Sequence, residues 1–135
     1  MCEFDGRLSV AQTADGRLHV YARANLARIS GGRHLQVATS PSGARLGPFG
    51  PFRLVQFEGY HVRPAPFVDS DIYFGAINAN PLDGGRSLVG LFPVRTARAT
   101  FIGLAVSCDI LRFSRMLKVT RAAHVTVEHV TAAHA

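Results

Sequence analysis

Six side chains suited to binding a hydroxylated ligand lie on two predicted strands of this 135-residue chain. They are Tyr21, Arg23, Asn25, Tyr73, Asn78 and Asn80. The first three alternate along one strand and therefore share one of its faces, and the others lie along a second strand and its exit. An aromatic ring with amide and guanidinium groups can hold a sugar ring and its hydroxyl groups. The alternative, favoured for aromatic residues in short strands, is that both tyrosines pack inside the fold.

Other patterns that could carry chemistry fail on their spacing. His124, His129 and His134 are five residues apart, which separates neighbours on a strand or a helix, whereas zinc pairs use tighter spacing on one face. The segment 85–89 lacks the final glycine of a nucleophile elbow. The segment 30–33 lacks the Gly-Lys-Ser/Thr ending of a phosphate loop. We therefore expect no metal and no cofactor.

The strands that must position these side chains are clearest in the segment 71–119. DIYFGAIN is a run of β-branched and aromatic residues that ends in turn residues at Asn80-Pro81 and Asp83-Gly84. SLVGLFPV follows and is predicted to stop at Pro93, which has no amide proton for a central strand. FIGLAVS and FSRMLKV complete the series. Consecutive strands of this length and spacing predict an antiparallel meander.

The first half of the chain has the same character. LSVAQ is followed by Asp15-Gly16, a strong hairpin signal, and RLHVYARANL then alternates in polarity. HLQVAT and FRLVQF are predicted as the third and fourth strands, with turn residues between them at 40–43. In the tail, HVTVEHV is compatible with one more strand.

The segment 64–66, Pro-Ala-Pro, divides the chain into two similar units. The predicted divisions are 1–63 for the first unit, 64–119 for the second and 120–135 for the tail. Each unit has about fifty residues, the size of a four-stranded propeller blade. Each opens with an Asp ahead of an apolar strand, and in each the third strand ends in a small polar turn that an aromatic follows. The predicted fold is all-β, with two four-stranded antiparallel meander blades.

Composition sets the class of the protein. The chain is 47% hydrophobic and 18% charged, which favours a globular domain over a disordered one. The sequence has no apolar run of about 18 residues, so we expect no membrane span. No secretory signal is visible at the start, and the compartment stays open. We expect Cys108, at the end of an apolar strand, to be a small buried hydrophobic residue.

The net charge of +6 comes from fourteen Arg and one Lys against nine acidic residues. A strongly basic chain can engage nucleic acid when its charges cluster in one patch or stripe. Here the arginines are dispersed along the sequence and do not form a run. Dispersed charges are typical of solvated loops and outer strands, so nucleic acid is not the expected partner.

These segments resemble blades of the five-bladed β-propeller glycoside hydrolase-like superfamily, the arabinanase, xylosidase and invertase-like proteins. The residues that carry the resemblance are FDGRLSV, DGRLHVYARAN, HLQVATSPSGARLGPF, DIYFGAINANPL, SLVGLFPV and GLAVSCDILRFSRMLKV. They cover about residues 4–119, but only about two blades of a ring that closes with about 4–8. The resemblance implies a fragment of a larger propeller; self-association that completes the ring, or a compact two-sheet sandwich, is the alternative.

The same resemblance implies two candidate catalytic residues. In such propellers the catalytic carboxylates lie on or beside the innermost strands, and glycoside hydrolysis needs two of them. Asp5 and Asp71 precede the first strands of the two units; the competing interpretation is that they cap backbone amides there. The invertase-type signatures are missing, so we expect binding of an oligosaccharide and no catalysis by the chain alone. The competing function is a structural or protein-interaction module without a small-molecule site.

Overall fold

The computed structural model describes residues 7–26, 32–41, 48–60, 70–96 and 99–121. Within these ranges every regular element is a strand, apart from one 3-10 turn at Pro81–Asp83. The predicted all-β class is therefore confirmed. The strands are β1 (Ser9–Gln12), β2 (Leu18–Asn25), β3 (Arg33–Thr39), β4 (Arg53–Leu54), β5 (Gln56–Phe57), β6 (Ser70–Ile72), β7 (Ala76–Ala79), β8 (Leu88–Thr96), β9 (Thr100–Ser107), β10 (Arg112–Phe113) and β11 (Leu117–Arg121).

Most of the strands form two antiparallel sheets, and β5 and β10 form a separate two-stranded sheet. The first sheet has the order β1-β2-β3-β4, so that consecutive strands are neighbours. The second has the order β11-β9-β8-β6, with β7 also paired to β8. Because β6 and β7 pair with different parts of β8, they occupy one position in the sheet. The hairpin predicted at Asp15-Gly16 is confirmed, because β1 and β2 pair antiparallel on either side of it. Gly16 has a φ of 78°, which favours glycine.

The predicted strand DIYFGAIN is broken, and the break accommodates a proline. It divides into β6 and β7, with residues 73–75 between them. The prediction that the next strand stops at Pro93 is wrong, because β8 continues to Thr96. The carbonyl of Pro93 accepts from the Tyr73 amide, so the side of β8 on which Pro93 lacks a proton faces the break. No amide proton of Pro93 is needed there.

The fourth strand of each unit is also divided, and the pieces join the two sheets. The predicted strand FRLVQF becomes β4, which pairs with β3, and β5, which pairs with β10. The predicted strand FSRMLKV becomes β10 and β11, of which only β11 pairs with β9. The β5 and β10 pair is parallel. It links residues of the first unit directly to residues of the second.

One hydrophobic core lies between the two sheets. Its aromatic centre packs Phe92 edge-on against Phe57 and Phe113, with ring centroids 4.9 and 5.3 Å apart. The other buried members come from both units: Ala11, Tyr21, Leu35, Val37, Val55, Ile72, Ile77, Leu88, Val94 and Ala105. The two units therefore share a core. Burial of these apolar side chains is the main favourable term in folding.

Two glycines make room for the ring of Phe92. A Cβ atom on Gly75 would lie 2.7 Å from Cε1 of that ring, and one on Gly90 would overlap its Cζ. Atoms cannot approach so closely, so both positions need glycine for steric reasons. The prediction that Cys108 is buried is wrong: the thiol is exposed, because Cys108 lies in the bend after β9 and not within the strand.

Candidate functional site

Two of the sequence-predicted residues meet at the start of β3, around Arg33. The Arg33 backbone N–H donates to Oδ1 of Asp71 over 2.7 Å. Its guanidinium donates to Oδ2 of Asp71 at 3.4 Å and to the Tyr73 hydroxyl at 3.3 Å. The same guanidinium lies over the Tyr73 ring, with Cζ 4.8 Å from the centroid, a favourable cation–π distance. We call Asp71, Arg33 and Tyr73 the Arg33 cluster.

The charges of the Arg33 cluster satisfy one another. Asp71 is 8% exposed, so its carboxylate needs the two donors that Arg33 supplies. The link joins β3 of the first sheet to β6 of the second. Both carboxylate oxygens accept hydrogen bonds from Arg33, which is 38 positions away in the chain, so Asp71 joins two strands in this arrangement. Asp5, the other candidate catalytic residue, lies outside the described residues.

Asn25 lies beside this cluster, and Arg23 lies two residues before Asn25 on the same strand. In the register of β2 and β3, Asn25 is opposite Arg33, and Arg23 is opposite Leu35. Asn25 is exposed, whereas Arg23 is half-buried. The structure therefore adds an exposed amide to the neighbourhood of the Arg33 cluster. Arg33 was not predictable as a site residue from the sequence, because its partners Asp71 and Tyr73 are distant in the chain.

Tyr21 cannot present its ring to a ligand in this structure. It is completely buried, and its hydroxyl donates to the Ile110 carbonyl over 2.7 Å. Burial, with a smaller contribution from the charge of Asp109, raises the pKa of the Tyr21 hydroxyl above its ordinary value of 10.0. The shared face of Tyr21 and Arg23 is the face that packs on the second sheet. Packing is therefore the role of Tyr21, as the alternative interpretation holds.

Asn78 and Asn80 lie apart from the Arg33 cluster, at the far end of the split strand. Asn78 is exposed on β7, opposite Val89. The Asn80 side chain accepts from the Leu82 amide over 3.1 Å and donates to the Ser87 hydroxyl over 3.0 Å. It thereby caps the 3-10 turn. The described residues contain no group of three or more His, Cys, Asp or Glu that could hold a metal ion.

A pocket of about 580 Å³ opens at the other end of β3. Arg33, Leu35, Val37 and Thr39 alternate along that strand and share its inner face, with Arg33 in the cluster and Thr39 lining the pocket. Six residues of strand separate these ends by about 20 Å. We call this cavity the Thr39 pocket. Its lining residues are Val37, Thr39, Gly50, Pro51, Arg53, Asp109, Ile110, Leu111 and Arg112.

The floor of the Thr39 pocket is a turn that Asp109 organises. Oδ1 of Asp109 accepts from the amides of Leu111, at 3.1 Å, and Arg112, at 2.6 Å. Ile110, which lies between Asp109 and Leu111, has a φ of 64°. A β-branched residue in the left-handed region is a genuine outlier. The described residues show no other non-glycine residue with positive φ, so the strain is confined to this turn.

Each end of β3 also holds a buried histidine. His34 lies next to Arg33 and places Nε2 2.6 Å from the Val55 carbonyl. His19 lies opposite Thr39, and its ring is within 3.0 Å of the Thr39 hydroxyl and 2.9 Å of the Thr13 hydroxyl. Burial lowers the pKa of both rings below the ordinary value of 6.5. Both rings are therefore kept neutral near pH 7.

Comparisons of the chain with protein-family models, with curated proteins and with solved structures found no match. Within the part of the chain that the structure describes, no helix is long and apolar enough to cross a membrane. The two ends of β3 are therefore the candidate sites that the geometry defines.

Proposed function

We propose that this chain is a carbohydrate-binding β module, built like two adjacent blades of a propeller and not catalytic by itself. The observation that carries the proposal is that Asp71, Arg33 and Tyr73 come together at the start of β3, where the two sheets meet. With Asn25 on the neighbouring strand, this end offers an aromatic ring, a guanidinium and an exposed amide. These are groups that hold sugar rings and sugar hydroxyls.

In this proposal the members of the cluster have different roles. Asp71 already accepts with both oxygens, so it positions the Arg33 guanidinium and does not meet the ligand. Arg33 uses one nitrogen for its contacts with Asp71 and Tyr73, and a guanidinium has five N–H donors. Its remaining donors and the Asn25 amide are the groups we expect to bind sugar hydroxyls. Tyr73 would supply the apolar surface.

The relation between the two sheets supports the propeller part of the proposal. The Ser9 hydroxyl donates to the Ile77 carbonyl over 3.0 Å and accepts from the Ile77 amide over 2.9 Å. These two hydrogen bonds hold β1, the first strand of the first sheet, beside β7 of the second sheet. Innermost strands of neighbouring blades lie beside one another in the same way around a propeller axis.

Matched asparagine variants test the sugar site. We would measure the melting temperature of the chain with a panel of neutral oligosaccharides, for wild type, Tyr73→Ala, Asn25→Ala and Asn78→Ala. Both asparagines are exposed strand residues, but only Asn25 lies beside the cluster. Asn25→Ala should weaken binding about tenfold, the effect of about 1.4 kcal/mol, and Asn78→Ala should not. Equal losses, or no oligosaccharide that raises the melting temperature, would reject the site.

A second candidate function is self-association through the outer face of the second sheet. Strands β8 and β9 are apolar on both faces, a pattern typical of sheets covered on both sides. On the outer face Leu91, Val106 and Leu117 are 43%, 42% and 67% exposed. Leu91 and Leu117 both lie opposite Leu104, so the exposed side chains form one patch. The occupant we propose is a second copy, because two such uncharged patches can meet without like-charge repulsion.

Light scattering at several concentrations tests the second candidate. A discrete dimer that Leu91→Glu converts to monomer would support it, because the variant places charges in the patch. A wild-type monomer at every concentration would reject it. Lys118→Glu is the control, since Lys118 lies over the Phe101 ring and not in the patch.

A further inference from the structure

We propose that the Thr39 pocket binds a small hydroxylated anion of the sugar-acid type. The proposal is independent of the sugar site at the Arg33 cluster, because the two lie at opposite ends of β3. The pocket volume of about 580 Å³ lies within the range of about 300–1,000 Å³ that is usual for small-ligand sites. It is formed by three separated segments, around 37–39, 50–53 and 109–112.

The charge of the pocket selects an anion. Arg53 and Arg112 line it, and neither side chain makes an ion pair or a hydrogen bond with another described residue. Among the described lining residues Asp109 is the one carboxylate, so these residues together have a net charge of +1. Guanidinium groups bind planar oxyanions through paired N–H donors. A ligand carboxylate would give both arginines a partner that the described residues do not supply.

The remaining polar groups select hydroxyls on that anion. The turn uses only Oδ1 of Asp109 to accept from backbone amides. Oδ2 of Asp109 accepts no hydrogen bond from any other residue in the described ranges, and an ionised carboxylate oxygen is a strong acceptor. An anion alone would be repelled by this oxygen, whereas a hydroxyl of the same ligand would donate to it. The ligand should therefore carry both groups.

The backbone of the turn supplies an independent observation. Ile110 lines the pocket in a left-handed conformation, which is strained for a β-branched residue and persists only where the surrounding structure enforces it. Here the enforcing contact is the buried Tyr21 hydroxyl, which donates to the Ile110 carbonyl. The strained residue is held directly between Asp109 and the segment that carries Arg112. Strain of this kind concentrates at binding sites.

Calorimetric titration of the full chain tests the proposal with three probes: glucuronate, glucose and inorganic phosphate. We expect glucuronate to bind more tightly than either of the others, because only it has both a carboxylate and ring hydroxyls. Arg53→Gln and Arg112→Gln should each weaken glucuronate binding about tenfold, as expected for a charge-assisted hydrogen bond. The matched control is Arg95→Gln, which removes the same charge from an exposed residue on β8.

The possible results separate the parts of the proposal. Glucose binding that is as tight as glucuronate binding and is weakened by Arg53→Gln would overturn the assignment to an anion. Phosphate binding as tightly would overturn the assignment to a hydroxylated ligand. Loss of glucuronate binding in Arg95→Gln equal to that in Arg53→Gln would show a general charge effect and overturn the site. Binding of neutral oligosaccharides at the Arg33 cluster is measured with its own variants, so either site can fail alone.

Discussion

The two ends of strand β3 differ in whether their charged side chains have partners among the described residues. At the Arg33 cluster the carboxylate is buried and each charged group has a partner within the chain. At the Thr39 pocket two guanidinium groups face a cavity without a partner among the described residues. Partnered charges can contribute to the stability of the fold, whereas unpartnered ones contribute little to it and are free for a ligand. The Arg33 cluster therefore links the two sheets, whereas the Thr39 pocket leaves its charged groups available to a ligand.

The core that holds both ends should show the largest effect of any substitution. Phe92→Ala removes the ring that packs on Phe57 and Phe113 and should lower the free energy of unfolding by about 3–5 kcal/mol. Chemical denaturation measures this value. Phe49→Ala is the control, because Phe49 is exposed and the substitution should cost much less. Similar costs for the two would contradict the central position of Phe92 in the core.

Substitution of a charged residue should lower the stability more at the Arg33 cluster than at the Thr39 pocket. Asp71→Asn removes a buried charge that accepts from the Arg33 amide and guanidinium. The cost should be about 1–3 kcal/mol, towards the lower end because the Arg33 side chain is 40% exposed. Arg53→Gln should change stability by less than about 0.5 kcal/mol, as at an unconstrained surface position.

Denaturation curves of the two variants measured together check this prediction. A cost for Arg53→Gln that equals the cost for Asp71→Asn would show that the arginine of the pocket is also a structural group. The distinction between the ends would then be wrong. Arg33→Gln would complete the set, since it should reproduce part of the Asp71→Asn loss by removing the guanidinium from both Asp71 and Tyr73.

The strands were predictable from the sequence where local pattern decides them. Strand β2 and the hairpin at Asp15-Gly16 were predicted from local patterns, and both are confirmed. The division of the predicted strand at 71–78 was not predictable locally. It depends on where Pro93 of the neighbouring strand lies and on the space that Gly75 leaves for the Phe92 ring. Both are contacts made only in the assembled sheet.

The site was predictable only in part, for a related reason. Asp71 and Tyr73 were selected for their chemistry, but the residue that joins them, Arg33, is 38 positions from Asp71 in the chain. The arginines of the Thr39 pocket come from segments with no common motif, and no local signal places them together. Tyr21 was selected by alternation, which identifies a shared face but does not tell which face is buried.

Acid should destabilise the protein through both ends of β3. Burial lowers the pKa of His19 and His34 in the folded chain. Below pH 6.5, the ordinary pKa of a histidine ring, the unfolded chain therefore binds more protons than the folded chain. The stability that the two neutral rings contribute is complete above pH 6.5 and declines as the pH falls towards their folded pKa values. Denaturation at several pH values measures the slope of the free energy of unfolding against pH. His34→Gln should reduce it, and His19→Gln should reduce it further; an unchanged slope would contradict the assignment to these rings.

The strained turn gives the smallest and most specific prediction. Asn tolerates the left-handed region better than a β-branched residue, so Ile110→Asn gains in backbone energy part of what it loses in apolar contact. Ile102→Asn, at a half-buried position without positive φ, has no such gain. Both variants should be destabilised, but Ile110→Asn should be the more stable by about 1 kcal/mol. Denaturation curves in the absence of ligand measure the difference. If the order were reversed, the turn would not be storing strain, and the cavity at this end of β3 would depend on its charges alone.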